Sequence, residues 1–290
     1  MMEELSDGPK GPNKKIYFII LSLLLLPVFV YLAAQLPEAD FYLSFYPASR
    51  GIFTGHSPYE QTGYICAPWG VIPLIPFVVF PPMIARGLFF VACTLLFILV
   101  SWRLKAPPLA TIFFLLSPTA IGALLVGNID PMVMSGILLP PIWGLIVLLI
   151  KPQIGFGVAV YFFAESFRKG KISAVIRTFA PVVIAYLLAL IFFPIWFERM
   201  INNPSNIWNR TLFPYSIPLG LFFIWIAIRK RNPYYALAAT PFLAPYHSFY
   251  TYSIVQIGLL NDDVENYIRR DVLQIILCIF LWTVMLVFKL

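Results

Sequence analysis

The chain has 290 residues, 60% hydrophobic and 11% charged, with Lys+Arg 20 against Asp+Glu 13 for a formal net charge of +7. Water-soluble domains carry roughly 25% charged residues, so this composition, with a mean hydropathy of +0.85, excludes a large soluble domain and describes a polytopic membrane protein. The basic residues fall in short clusters between apolar runs and form no stripe, which argues against nucleic acid as a partner. Cys66, Cys93 and Cys278 are too few and too scattered for a disulfide framework or a metal site.

In chain order, residues 1–15 read as a cytoplasmic tail carrying Lys10, Lys14 and Lys15, and 16–290 as a single transmembrane domain. The run Ile16–Leu36 exceeds the roughly 7–15 apolar residues of a signal peptide, so it is expected as a retained helix with its amino terminus inside. Residues 37–69 hold Glu38, Asp40, Arg50, His56 and Glu60 and are too polar to span. They are expected as the first extracytoplasmic loop, in which Phe41, Phe45, Tyr46, Ile52 and Phe53 suit a helix lying in the membrane interface.

Further spans are expected near 70–82, 86–102, 107–126, 131–140, 141–166, 173–196, 214–228, 233–245, 248–261 and 272–289. The fold class expected is therefore all-α, a transmembrane bundle of about 10–11 spans. The segment 131–140 is only about 15 Å long at helical rise, which suggests a half-helix or re-entrant piece. The run 70–82 contains Pro73, Pro76 and Pro81 and is expected to kink, and 26 prolines overall imply broken helices. Alternating the spans from an inside start leaves thirteen Lys and Arg inside and six outside, with Lys151 in the membrane. This follows the positive-inside bias, except that Arg103 and Lys105 fall outside, which a different threading of 70–102 would explain.

An ionisable residue within the membrane is a functional candidate by default. Lys151, inside 141–166, reads either as half of an ion pair with Asp130 or as a cation holding an anionic ligand such as phosphate. Asp40, just past the first helix, reads either as an N-cap for the helix that follows or as a general base acting on a hydroxyl. His247, Arg210 and His56 complete the polar inventory of the outer face. Glu165, beside the Arg168–Lys171 cluster, reads as an ordinary helix-end charge. The absence of a Gly-rich phosphate loop, a zinc-type His-Glu pair and a Gly-x-Ser-x-Gly elbow argues against a nucleotide-driven pump or a membrane metalloprotease.

Several short motifs occur in order between Ile16 and Ser253: Asp40-Phe41, Gly55-His56-Ser57-Pro58-Tyr59, the aromatic-proline stretch Tyr64–Trp69, Gly127-Asn128, Lys151-Pro152, the basic Arg168–Lys171, and Pro245-Tyr246-His247-Ser248-Phe249-Tyr250. Together they resemble the GT-C membrane glycosyltransferases, and within them glycosyltransferase family 87, which includes polyprenol-phosphate-mannose-dependent mannosyltransferases. The chain departs from that family in being shorter and in carrying Gly127-Asn128 where members commonly have Gly-Gln followed by Asn.

The resemblance implies transfer of a mannose-like hexose, with inversion, from a polyprenyl-phosphate sugar donor to a hydroxyl of a glycolipid or glycan acceptor. The reaction would run on the outer face of the plasma membrane, among membrane lipids. It implies Asp40 as the base, Lys151, Arg210 and His247 at the donor phosphate, and Arg50, His56 and Tyr59 as substrate contacts, without cofactor or metal. A lipid or solute transporter and a non-catalytic membrane subunit are the other classes open.

Overall fold

The structure, a computed structural model, describes residues 31–32, 35, 39–61, 63–201, 209–261 and 267–288. The tail 1–15, nearly all of the expected first helix, Glu38 and residues 262–266 lie outside the described residues. Among those described the chain is helical, with no strand.

The segment expected as the first extracytoplasmic loop is helical where it is described, as expected. It runs from a π-turn at Phe41–Phe45 through α1 (Tyr46–Gly51) to a 3-10 turn at Ile52–Thr54. Phe41, Phe45 and Ala48 are buried on one side while Leu43, Ile52 and Phe53 stay exposed. A 3-10 helix at Pro68–Leu74 then leads into α2 (Ile75–Val78). Here the expected span 70–82 needs correction. The stretch 68–78 makes only about 20 Å of helix and remains beside the first outer segment. Arg50 Nη1 donates to the Val78 carbonyl at 2.6 Å and the Tyr46 hydroxyl to Phe80 O at 2.9 Å, while Trp69 Nε1 donates to Ile146 O at 2.8 Å.

α3 (Pro82–Arg103) crosses to the other end of the bundle. α4 (Pro108–Leu115) and α5 (Pro118–Val126) return as a pair bent by 56°. α6 (Asp130–Met134), continued by a 3-10 turn to Leu138, descends, and α7 (Pro141–Leu148) comes back. Two close backbone approaches hold these half-length pieces together: a Cβ on Gly144 would lie 2.7 Å from Gly136 O, and one on Gly136 would lie 3.0 Å from Gly144 O. The expected half-helix at 131–140 is thus present.

The expected span 141–166 is instead two elements meeting at Lys151. Pro141 lines the same cavity as Tyr161, Phe162 and Glu165, so α7 and the start of α8 (Pro152–Phe192) run back to back from a turn at 149–151. Lys151 is the N-cap residue of α8, at the tip of this hairpin rather than halfway along a span.

α8 itself reverses at Gly170 and Lys171, whose backbone is not helical. Ser166 Oγ donates to Thr178 Oγ1 at 3.1 Å, and the Phe163 and Phe179 rings lie 6.1 Å apart. Its limbs, 152–169 and 172–192, are therefore antiparallel, and their turn falls where the sequence expects the 167–172 loop. α9 (Pro194–Ile201), α10 (Ile217–Lys230), α11 (Pro233–Leu243), a 3-10 turn at Phe249–Tyr252, α12 (Ser253–Gly258) and α13 (Tyr267–Phe288) complete the bundle.

Proline explains much of this punctuation. α3, α4, α5, α7, α8, α9 and α11 each begin on a proline, where its missing N–H costs nothing and its fixed φ suits the first helical turn. By length and composition α3, α8 and α13 can cross a membrane, and the bent α4–α5 pair makes a fourth candidate. The remaining apolar helices are shorter than a hydrocarbon core requires.

Following the chain sorts the residues into two ends. One holds Asp40, Arg86, Asn128, Lys151, Arg210 and His247. The other holds Lys105, whose carbonyl accepts from Arg270 Nη1 at 2.9 Å, Asn232 joined to Asn261 at 3.3 Å, and Lys169 and Arg231 around one cavity. Because 68–78 does not cross, α3 begins at the Asp40 end, and Arg103 and Lys105 join the basic clusters at the far end. That removes the exception in the sequence count.

Candidate functional site

Asp40 opens the π-turn, but its side chain caps no helix N–H. Its backbone is already helical, with φ −45° and ψ −39°, whereas a capping residue normally adopts an extended conformation that aims its oxygen at the N2 or N3 amide. The carboxylate instead reaches across the bundle. Oδ2 accepts from Asn128 Nδ2 at 2.6 Å and from the Tyr250 hydroxyl at 3.0 Å, and among the described residues Oδ1 has no partner. Asp40 is half-buried.

Asn128 is the junction. Its amide nitrogen also donates to the Tyr250 oxygen at 2.7 Å, and its Oδ1 accepts from Lys151 Nζ at 2.9 Å and from the Asp130 amide at 3.1 Å. All four hydrogen-bonding positions of the side-chain amide are used. Gly127 makes this approach possible. It ends α5 in the left-handed region at φ 68°, and a Cβ there would lie 2.7 Å from Phe41 Cβ and 3.0 Å from the Arg86 guanidinium carbon.

Lys151 and Asp130 form a buried ion pair through Nζ and Oδ1, with side-chain exposures of 8% and 1%. Thr251 Oγ1 donates to the other Asp130 oxygen at 3.1 Å. A cation at the amino end of α8 opposes the helix dipole, so its nearby acceptors are physically necessary. The ion-pair reading of Lys151 is therefore realised, and the pair abuts Asp40 through Asn128.

Arg210 and His247 come together through the backbone. Arg210 N donates to His247 O at 2.9 Å, and Asn209 Oδ1 accepts from the amides of His247 at 3.3 Å and Thr211 at 3.2 Å. The His247 ring is buried and edge-on to Tyr252, 4.6 Å between centroids. Its Nδ1 lies 3.1 Å from Ser248 O. Burial holds this imidazole below its ordinary value of 6.5, which keeps it neutral near pH 7.

Arg50, His56 and Tyr59, expected as substrate contacts, do not join this cluster. The Arg50 guanidinium is used on Val78 O. Tyr59 is inside the core, its hydroxyl donating to Cys66 O at 2.7 Å and its ring against Phe193. His56 pairs with Glu60 at 2.8 Å, both exposed, and borders a second cavity of about 670 Å³ lined mainly by Trp69, Ile72, Leu188, Ala189, Phe192 and Phe193. Among the described residues no group of three or more His, Cys, Asp or Glu is placed to hold a metal ion.

Asn128, Tyr250 and Arg86 are the participants that motif reading does not single out as site residues. Arg86 is fully buried in the first turns of α3. Its Nη2 donates to the carbonyls of Leu124 at 2.8 Å and Leu125 at 2.7 Å, at the end of α5. Among the described residues its Nε and Nη1 have no hydrogen-bond partner, and the guanidinium lies 5.7 Å from the centre of the Phe41 ring. A buried arginine normally has a carboxylate partner, and Arg86 has none among the described residues. The sequence does carry a signal: Arg86 is the only charged residue between Glu60 and Arg103.

Comparison of the chain with protein-family models, with curated proteins and with solved structures yields no match.

Proposed function

We propose that the protein is an integral-membrane glycosyltransferase that moves a hexose from a polyprenyl-phosphate donor to a hydroxyl of a glycolipid or glycan, with Asp40 as the general base. The observation that carries this reading is the carriage of Asp40. Its carboxylate is released from any capping duty, oriented through one oxygen by Asn128 and Tyr250, and left with the other oxygen open. A base needs such an arrangement to be within hydrogen-bond reach of the proton it takes.

In the reaction Asp40 removes the proton of the acceptor hydroxyl as its oxygen bonds to the anomeric carbon. The bond from that carbon to the lipid phosphate breaks on the opposite face, and the phosphate departs with the electron pair. Charge developing on the phosphate calls for preorganised cations and donors. Lys151 and Arg210 stand at this end of the bundle, and Arg86 adds unengaged N–H groups one residue along from Asp40, beneath Phe41. His247, neutral near pH 7, is better suited to bracing the Arg210 segment than to supplying charge. The apolar cavity beside His56 and Trp69 offers hydrocarbon surface for a prenyl chain. The GT-C resemblance and this cluster support the same assignment.

The basic end fits the cytoplasm by the positive-inside bias, which puts the Asp40 end outside, in a plasma membrane, with the amino terminus cytoplasmic. A transporter is the second reading, favoured by the half-length α6–α7 hairpin with the charged pair Asp130–Lys151 across its open end, since broken helices recur at transporter binding sites. Purified protein with radiolabelled polyprenyl-phosphate sugars and a total lipid extract separates the two. Label in a new product, lost in Asp40→Asn, supports transfer; label exchanged between leaflets with no product supports transport.

A further inference from the structure

The far end of the bundle carries a cavity of its own, of about 380 Å³, between the limbs of α8 and the turn from α10 to α11. Tyr161, Glu165, Lys169, Thr178 and Arg231 line it. Glu165 is already shared by Arg168 and Lys169, the latter at 3.2 Å. Arg231 has no ion pair or hydrogen bond from its side chain among the described residues and is exposed. Ser166 donates to Thr178 Oγ1, which leaves the Thr178 hydroxyl its own proton to give. The cavity thus presents a free guanidinium, an ammonium with two unused N–H bonds and hydroxyl donors, and its one carboxylate is neutralised.

Donors lining one cavity, whose carboxylate is already paired with Arg168 and Lys169, match the oxygens of a phosphate ester, and arginine supplies the planar fork such a group prefers. The surroundings indicate the source. Phe163, Phe167, Ile172 and Ile176, on the same two limbs, are 50 to 61% exposed, an apolar surface that acyl chains would cover. Basic pockets between helices on the cytoplasmic side are places where anionic headgroups bind.

We propose that this cavity binds the phosphate of an anionic phospholipid headgroup, with Arg231 and Lys169 as its cationic ligands. The site is separate from Asp40 and holds whether or not the protein transfers sugar. Bound there, the headgroup ties the two limbs of α8 to the α10–α11 turn.

The test is native mass spectrometry of the full-length protein in detergent, with phosphatidylglycerol, phosphatidylcholine or inorganic phosphate added in turn. Phosphatidylglycerol is expected to be retained more strongly than phosphatidylcholine. Each of Arg231→Gln and Lys169→Gln should weaken that retention about fivefold and the double variant about 25-fold. Arg231→Lys should keep most of it, and Arg103→Gln, at the same end but outside the cavity, should change nothing. All replaced side chains are exposed, and unchanged thermal unfolding without lipid checks that each variant folds. Equal retention of the two lipids, or wild-type retention in the double variant, overturns the proposal. So does adduct formation by inorganic phosphate with no lipid retained, which would mark a site for the free ion.

Discussion

The side-chain amide of Asn128 donates to Asp40 Oδ2 at 2.6 Å, joining two residues 88 positions apart. The same amide's oxygen accepts from Lys151, so Asn128 sets the position of the carboxylate relative to the buried ion pair. Electrostatic contact between the two charges passes through one neutral, fully hydrogen-bonded side chain.

Removing that side chain should therefore disturb both partners. Asn128→Ala leaves Lys151 one acceptor short and Asp40 with only Tyr250. We expect a loss of about 1–3 kcal/mol, the cost of a buried polar group left without its partner, read as a lowered midpoint of thermal unfolding in detergent. Transfer activity should fall more than stability does, because Asp40 loses its orientation. A variant as stable as the wild type would show that the amide is not holding the cluster.

Gly127→Ala tests the same junction through the backbone. At φ 68° an alanine costs about 1–2 kcal/mol from the left-handed conformation alone. Its Cβ must also displace Phe41 and the Arg86 guanidinium, so the total should exceed that range. Denaturant or thermal titration measures it. The effect on turnover should be large even where the protein still folds, because Phe41 adjoins Asp40.

These residues also show how much was legible. Lys151 stands out in the sequence because charge is rare in apolar runs and Asp130 because it is a nearby counter-charge, whereas Asp40 stands out by its place just past the first apolar run. Asn128 and Tyr250 fall inside the short motifs, but their contact with Asp40 does not show there, since a polar residue 88 or 210 positions from its partner leaves no local pattern. What sets the cap reading of Asp40 aside is a backbone already helical at that residue, which residue type does not reveal. The half-helix at 131–140 followed from its length, whereas 70–82 and 141–166 were misread because hydropathy records how apolar a run is and not where it turns back. The prolines at 82, 141 and 152 marked those reversals, as the first residues of new helices.

His247 gives the protein a pH dependence of known sign. Burial lowers its pKa in the folded state, while the unfolded chain titrates near the ordinary value of about 6.5. As pH falls through that value the unfolded state takes up the proton first, so stability is complete above it and declines as pH falls below it toward the folded value. Thermal midpoints should drop between pH 7 and 5. His247→Gln should flatten that part of the curve, and an unchanged slope would place its origin elsewhere.

The ion pair makes a separable prediction. Lys151→Met leaves Asp130 buried with Thr251 as its remaining side-chain partner, which should cost about 3–5 kcal/mol. Adding Asp130→Asn removes the stranded charge and should recover much of that loss. If Lys151 also stabilises the departing phosphate, the double variant regains its thermal midpoint without regaining transfer. Recovery of both would assign Lys151 to structure alone.

The threading of α3 has a direct test, because sequence and structure disagree on it. With 70–82 as a span, residues 54 and 103 emerge on the same side of the membrane. With 68–78 kept beside the first outer segment, α3 begins at the Asp40 end and its 22 residues carry Arg103 about 32 Å away at helical rise. Cys66, Cys93 and Cys278 are buried, whereas Thr54 and Arg103 are exposed. Single substitutions Thr54→Cys and Arg103→Cys should therefore react with a membrane-impermeant maleimide from opposite sides of sealed vesicles. If both react from one side, α3 is inverted relative to the Asp40 cluster, and Arg86 could not lie beneath Phe41.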